Sequence, residues 1–236
     1  MRPSYSSRTA PGQRFVQRSS GNSQSITETK HFHANASVNI PFFTGFGWNG
    51  TSVDPAASST LFYPTLGTNA AQRVGRIVSV KSIYVRAQLK WSPGSSANSL
   101  LIVPPTVRVL LFVDKQTNGV QTQGNDLMYP GPPPIVTTQS PQNVGRFIML
   151  KDKTIQFSDP NFGFSSTINK GGLTRYLVFN YKFKKPLVIK FNSLNNGQVS
   201  DISDNSFHIF AGSDTDPTGY IPVTISYVAR ITYVDQ

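Results

Sequence analysis

The segment VRVLLFVD (Val107–Asp114) limits the fold of this chain more than any other stretch. Its side chains alternate with the two-residue period of a strand, placing Val107, Val109, Leu111 and Val113 on one face and Leu110 and Phe112 on the other. An antiparallel strand bordering water is polar on one side, whereas this one is apolar on both. The chain must therefore cover the strand twice: a second sheet takes one face, and loops, a chain terminus or another molecule takes the other. The strand ends in DKQTNG (Asp114–Gly119), whose Asn-Gly pair is a turn signal.

The rest of the chain supports an all-β fold. Arg76–Trp91 alternates Ile83, Val85, Ala87, Leu89 and Trp91 with Tyr84, Arg86, Gln88 and Lys90. Val78 and Val80 lie on the opposite parity, so a bulge is expected near Lys81–Ser82. Further strands read at Ile26–Ile40, Arg146–Phe157, Arg175–Lys184, Leu187–Phe191, Ser206–Ala211 and Ile221–Val234. Glu28 is the only glutamate, which disfavours long solvated helices. One short helix is expected at Asp54-Pro55, with the proline at its first position. Long loops separate the strands, one between Ile40 and Arg76 and another from Lys115 to Gly145 containing YPGPPP (Tyr129–Pro134). Eight strands with such loops suggest a double-sheet jelly roll or a related sandwich.

Charge is distributed unevenly. The 236 residues carry +11 overall, with residues 1–200 at +15 and residues 201–236 at −4. A basic balance of this size predicts attraction to polyanions. Residues 1–25 hold Arg2, Arg8, Arg14 and Arg18 without an acid and have little to bury, so they read as a flexible basic arm ahead of one domain at 26–236. The absence of cysteine removes disulfides, thiolate metal sites and thiol catalysis. Met1 and Arg2 lead into polar residues, so no signal peptide is expected, and no apolar run is long enough for a membrane-spanning helix.

Three segments in series, RVGRIVSVKSIYVRAQLKW, VRVLLFVDKQTNG and NVGRFIMLKDKTIQF, carry a family resemblance. The chain resembles the capsid proteins of small circular, Rep-encoding single-stranded DNA viruses, and is similar to the coat proteins of satellite plant viruses, which package RNA. The resemblance spans roughly Ile26 to Val234. It implies an eight-stranded viral jelly roll, two four-stranded antiparallel sheets with strands lettered B to I, closing as many copies into a small icosahedral shell of T=1 type. Mapped onto this sequence, B is Glu28–Ile40, C is Ile77–Trp91, D is Thr106–Asp114 and E is Arg146–Phe157. F is Arg175–Lys184, G is Leu187–Phe191, H is Ser206–Ala211 and I is Ile221–Val234. The implied partners are further copies of the chain, single-stranded nucleic acid (DNA before RNA) and a host receptor, without membrane insertion. The implied locations are the virion and the host nucleus and cytoplasm. The arm is shorter and sparser in arginine than the family's usual one.

By that analogy the B-I-D-G sheet faces the shell interior. Arg108, Lys190 and Arg230, joined by Lys30 and the arm arginines Arg2, Arg8, Arg14 and Arg18, are the expected phosphate contacts. Tyr5 and Phe15 could stack on bases. Leu110 and Phe112 would face neighbouring subunits or the loops and arm, and Trp48 would stand exposed in its loop. A β-sandwich carbohydrate-binding module is the alternative, with Trp48, Phe43 and Phe46 as its aromatic platform. Several motifs carry less. KFKKP (Lys182–Pro186) reads as a turn with exposed lysines. GFGWNG (Gly45–Gly50) lacks the strand and helix that a dinucleotide loop needs. His31 and His33 share a strand face without an evident third ligand, and His208 reads as half-buried packing. Asp201, Asp204, Asp214 and Asp216 are loop carboxylates that could meet a divalent cation or a basic neighbour. No acid–base pair has supporting spacing, so no enzyme and no cofactor is expected.

Overall fold

The computed structural model describes residues 28–43, 47–48, 50–91, 104–130, 133–157, 173–214 and 222–235. Eight strands form two antiparallel sheets. β1 (Thr29–Asn39), β8 (Thr224–Asp235), β2 (Ile77–Trp91), β5 (Leu173–Phe191) and β6 (Ile202–Asp204) lie side by side in that order. β4 (Phe147–Gln156), β3 (Thr106–Asp114) and β7 (Ser206–Ser213) form the other sheet. Between them lies one apolar core. The five-stranded sheet contributes Ile83, Val85, Leu89, Ile225 and Ile231, and β3 contributes Val107, Val109, Leu111 and Val113. Burial of this inward parity is the main force joining the sheets.

A fourth, irregular member flanks the smaller sheet. Residues 51–61 run along the free edge of β7. Val53 N–H donates to the Ile209 carbonyl at 3.1 Å, Ala211 N–H to Thr51 at 2.9 Å and Leu61 N–H to Phe207 at 2.9 Å. Tyr227 reaches across from the large sheet, its hydroxyl donating to the Val53 carbonyl at 2.8 Å. Burial pushes that phenol well above its usual pKa, and the Asp54 charge adds to the effect, so it remains a donor. Asp54-Pro55 opens a turn closed by Ser58 N–H on Pro55 at 2.9 Å, in place of the expected helix.

This edge segment corrects the strand letters. With β1 as B and β8 as I, the next strand in the sheet is β2, so Ile77–Trp91 takes place D, not C, and β5 takes G. β3, β4 and β7 then become E, F and H, and residues 51–61 fill the vacant place C. The runs expected as separate strands F and G are one 19-residue strand, and KFKKP is not a turn. Register jumps from Val80↔Leu187 to Ser82↔Lys182, so Phe183–Pro186 forms a bulge that removes the proline from the ladder. Lys81 is the extra residue opposite β8, as its sequence phase predicts.

The second apolar face of β3 is covered by the chain itself. Leu110 and Phe112 are 0% exposed and pack with Trp48, Leu127, Met128, Phe147 and Phe210 in a smaller core. The long loop after β3 folds back over the sheet and carries a one-turn helix at Gly124–Leu127. Gly124 is obligatory there, because a Cβ would lie 1.7 Å from the Trp48 carbonyl oxygen. Leu110, Phe112 and Trp48 are therefore core residues within the chain, where an interface between copies was expected. Two long loops supply the cover, one of the agents that the sequence left open.

Candidate nucleic-acid interface

The outward face of the five-stranded sheet is a regular grid. Pairing registers align His31–Thr232–Ser82–Lys182, His33–Arg230–Tyr84–Asn180 and Asn35–Val228–Arg86–Val178. Ser37–Ser226–Gln88–Tyr176 and Asn39–Thr224–Lys90–Thr174 complete five rows across β1, β8, β2 and β5. Not one of these positions is buried, and not one is a carboxylate. Four are permanent cations: Lys182, Arg230, Arg86 and Lys90. Strand spacing and rise put them on a surface about 14 Å by 27 Å. Among the described residues, no carboxylate forms an ion pair with any of the four.

Several of the polar residues between the cations pair with one another. Ser37 and Ser226 hydroxyls lie 2.7 Å apart, and the Thr224 hydroxyl donates to Asn39 at 3.1 Å. Gln88 Nε2 donates to the Tyr176 hydroxyl at 3.3 Å. A shallow groove of about 690 Å³ crosses the centre, walled by Asn35, Arg86, Gln88, Tyr176 and Val228 among others. Tyr176 is 66% exposed and Tyr84 is 39% exposed. Flatness, uncompensated positive charge and accessible aromatic rings suit a single-stranded polyanion.

The expected contact residues separate into distinct groups. Arg230 lies in the grid and is exposed. Lys190 lies on the same side beyond the bulge, with Nζ 3.4 Å from Asp204. Lys30 points inward, is 5% exposed, and is held by Asp235 at 2.8 Å and the Gln72 carbonyl at 3.0 Å. Arg108 is a strand-E residue on the wrong sheet and is 8% exposed. Its Nε donates to Asp152 at 2.9 Å and its Nη1 to the Thr137 carbonyl at 2.7 Å. It packs 5.7 Å from the Trp48 ring and staples the loop onto β3. Both Lys30 and Arg108 are buried and already paired within the chain, so neither is offered to a phosphate. Arg2, Arg8, Arg14, Arg18, Tyr5, Phe15, Phe46 and Asp216 lie outside the described residues, as do Gly45 and Asn49 of GFGWNG.

Arg86, Lys90, Lys182, Tyr84 and Tyr176 were not among the expected contacts. Their signal was present, since β2 alternates cleanly and its polar parity carries both cations. The misplaced strand letter moved β2 to the other sheet and hid them.

Two alternatives lose their residues. Trp48 is buried, its indole N–H donating to the Pro134 carbonyl at 3.1 Å, and Phe43 packs against it at 4.8 Å. They form no exposed sugar platform. Asp201 accepts from Gly197 N–H at 2.7 Å, Asp214 from Thr106 N–H at 2.7 Å, and Asp204 pairs with Lys190. Among the described residues no three His, Asp or Glu side chains are grouped to hold a metal ion.

His208 is fully buried rather than half-buried, and it is ordered by two partners. Its Nδ1 lies 2.8 Å from Asp54 Oδ2 and its Nε2 lies 2.6 Å from Ser206 Oγ. This is the order of an acid–base–nucleophile chain, which spacing in the sequence did not reveal. Ser206 and His208 are both 0% exposed, however, and Thr117 continues the chain at 2.7 Å from Ser206. Asp54 also accepts from Ile209 N–H at 2.8 Å. The network fastens residues 51–61 to β7 from within.

No family model matches the chain, and no curated protein matches it. Among solved structures it is similar to the Penaeus stylirostris densovirus capsid, at 8% identity and TM-score 0.32, covering 96% of this chain and 87% of that one. It is also similar to the infectious bursal disease virus VP2 subviral particle, at 10% identity and TM-score 0.25, covering 88% of this chain and 33% of that one. A further match is the infectious bursal disease virus Gt strain, at 9% identity and TM-score 0.20, covering 89% of this chain and 42% of that one. Among the described residues no helix is long and apolar enough to cross a membrane.

Proposed function

We propose that this chain is a viral capsid protein that closes with copies of itself into a small icosahedral shell and holds single-stranded nucleic acid against its five-stranded sheet. The observation that carries the reading is the acid-free grid of β1, β8, β2 and β5, with four cations on one flat face that pair with no carboxylate among the described residues. With the strand letters corrected, that face is the B-I-D-G sheet, the one the sequence resemblance turns toward the genome. The cations need no base-reading geometry: each neutralises a phosphate and releases a counterion. With about 0.7 per contact on single strands, four contacts give a salt slope near −2.8, or about a 50-fold loss between 50 and 200 mM salt. The arm arginines add to this total, and circular DNA is the proposed cargo.

The test is size-exclusion chromatography of the full chain expressed alone, with nuclease treatment before extraction of bound nucleic acid. The proposal expects particles of megadalton size with a protected single-stranded cargo. A monomer that elutes free of nucleic acid and binds no oligonucleotide at 50 mM salt overturns it.

A further inference from the structure

We infer that the groove at the centre of the grid seats one unpaired nucleobase, stacked on Tyr176 while its phosphate lies on Arg86. The inference rests on the proposed function and adds a recognition element that charge alone does not supply.

Tyr176 is two-thirds exposed on β5, the most exposed aromatic ring of the grid. Its hydroxyl is tied to Gln88 across the strand pair, which fixes the ring at the groove wall. Arg86 is one row away on the neighbouring strand, a diagonal separation of about 7–8 Å that a single nucleotide can bridge. On either side of Arg86 in its own row are Val228 and Val178, 51% and 56% exposed. Exposed valines beside a cation are poor company for water and good company for the face of a base. Asn35 at the end of that row offers an amide donor and acceptor to the base edge. The absence of a carboxylate from the grid favours an anionic occupant over a cationic or neutral one. In a duplex each base face is stacked on the neighbouring pair, so the seat accepts single strands and not duplex.

The experiment is fluorescence anisotropy with the full chain at nanomolar concentration and two labelled 12-mers. One is oligo-dT, and the other is an abasic strand with the same number of phosphates. The wild type is expected to bind oligo-dT at least about fivefold tighter than the abasic strand. Tyr176→Ala should lose about that factor on oligo-dT, leave abasic binding within about twofold, and keep the salt slope. Tyr176→Phe should retain binding, since it keeps the ring. Arg86→Ala should weaken both strands and lower the slope by about 0.7. Unchanged oligo-dT affinity in Tyr176→Ala overturns the inference while leaving the electrostatic reading standing, and so does an equal loss on both strands. A wild type that binds neither strand overturns both.

Discussion

Replacing Phe112 with alanine separates a core formed within the subunit from an interface between subunits. The ring is 0% exposed and lies 5.8 Å from Phe147, 5.4 Å from His208 and 5.0 Å from Phe210, centroid to centroid. Every one of these neighbours belongs to the same chain. Truncating a buried phenylalanine costs about 3–5 kcal/mol, transfer and cavity contributions together. For a domain of this size each kcal/mol lowers the melting temperature by about 2–4 °C, so the expected drop is about 6–20 °C. The assay is thermal unfolding of dilute, unassembled subunits, repeated at two protein concentrations to show that the shift is concentration-independent. Phe112→Leu, which leaves a smaller cavity, should fall between the variant and the wild type, and provides a readout if the alanine form does not fold. A Phe112→Ala subunit that melts like the wild type yet fails to assemble would refute the second core and restore the face to an interface.

Three further outcomes follow from buried charge and from the grid. Burial pushes the Asp114 carboxyl up, but hydrogen bonds from Arg146, the Gln116 N–H and Thr122 outweigh it and hold it below the usual carboxylate range. Its contribution is therefore full above about pH 4 and is lost as pH falls through the lower folded value; Asp114→Asn should flatten acid unfolding in that window and cost about 3 kcal/mol at neutral pH, read by urea denaturation. Arg108→Ala should destabilise the subunit while leaving the salt slope of oligonucleotide binding unchanged, whereas Arg230→Ala should leave stability within about 0.5 kcal/mol and lower the slope by about 0.7. His208→Ala should leave Asp54 and Ser206 short of partners at a cost of about 1–3 kcal/mol and make residues 51–61 more sensitive to limited proteolysis than in the wild type.

The regular strands were legible in the sequence because their period is local. β2 alternates without a break from Ile83 to Trp91, and even its bulge at Lys81 shows as a change of phase. The irregular edge segment 51–61 was not legible. Proline, serine and aspartate interrupt its alternation, and its place beside β7 is set by Asp54 on His208 and Val53 on Tyr227, pairs 154 and 174 residues apart in the chain. Missing that one member shifted every letter from C to F. That shift put Arg108 on the B-I-D-G sheet and took Arg86 and Lys90 off it. The double burial of Leu110 and Phe112 was expected, with loops, arm or a neighbour left open as its agent. Trp48 and the 124–128 turn close over β3 through contacts as particular as Arg108 on the Thr137 carbonyl, and no local pattern announces them.

The central claim is that the outward face of the five-stranded sheet bears the nucleic acid. Ultraviolet crosslinking of the full chain to single-stranded DNA, with mass spectrometry of the attached peptides, tests it directly. Adducts are predicted on the peptides containing Tyr84 and Tyr176, weakening as salt rises. Crosslinks confined to residues 104–157, on the sheet of β3 and β4, would contradict the account.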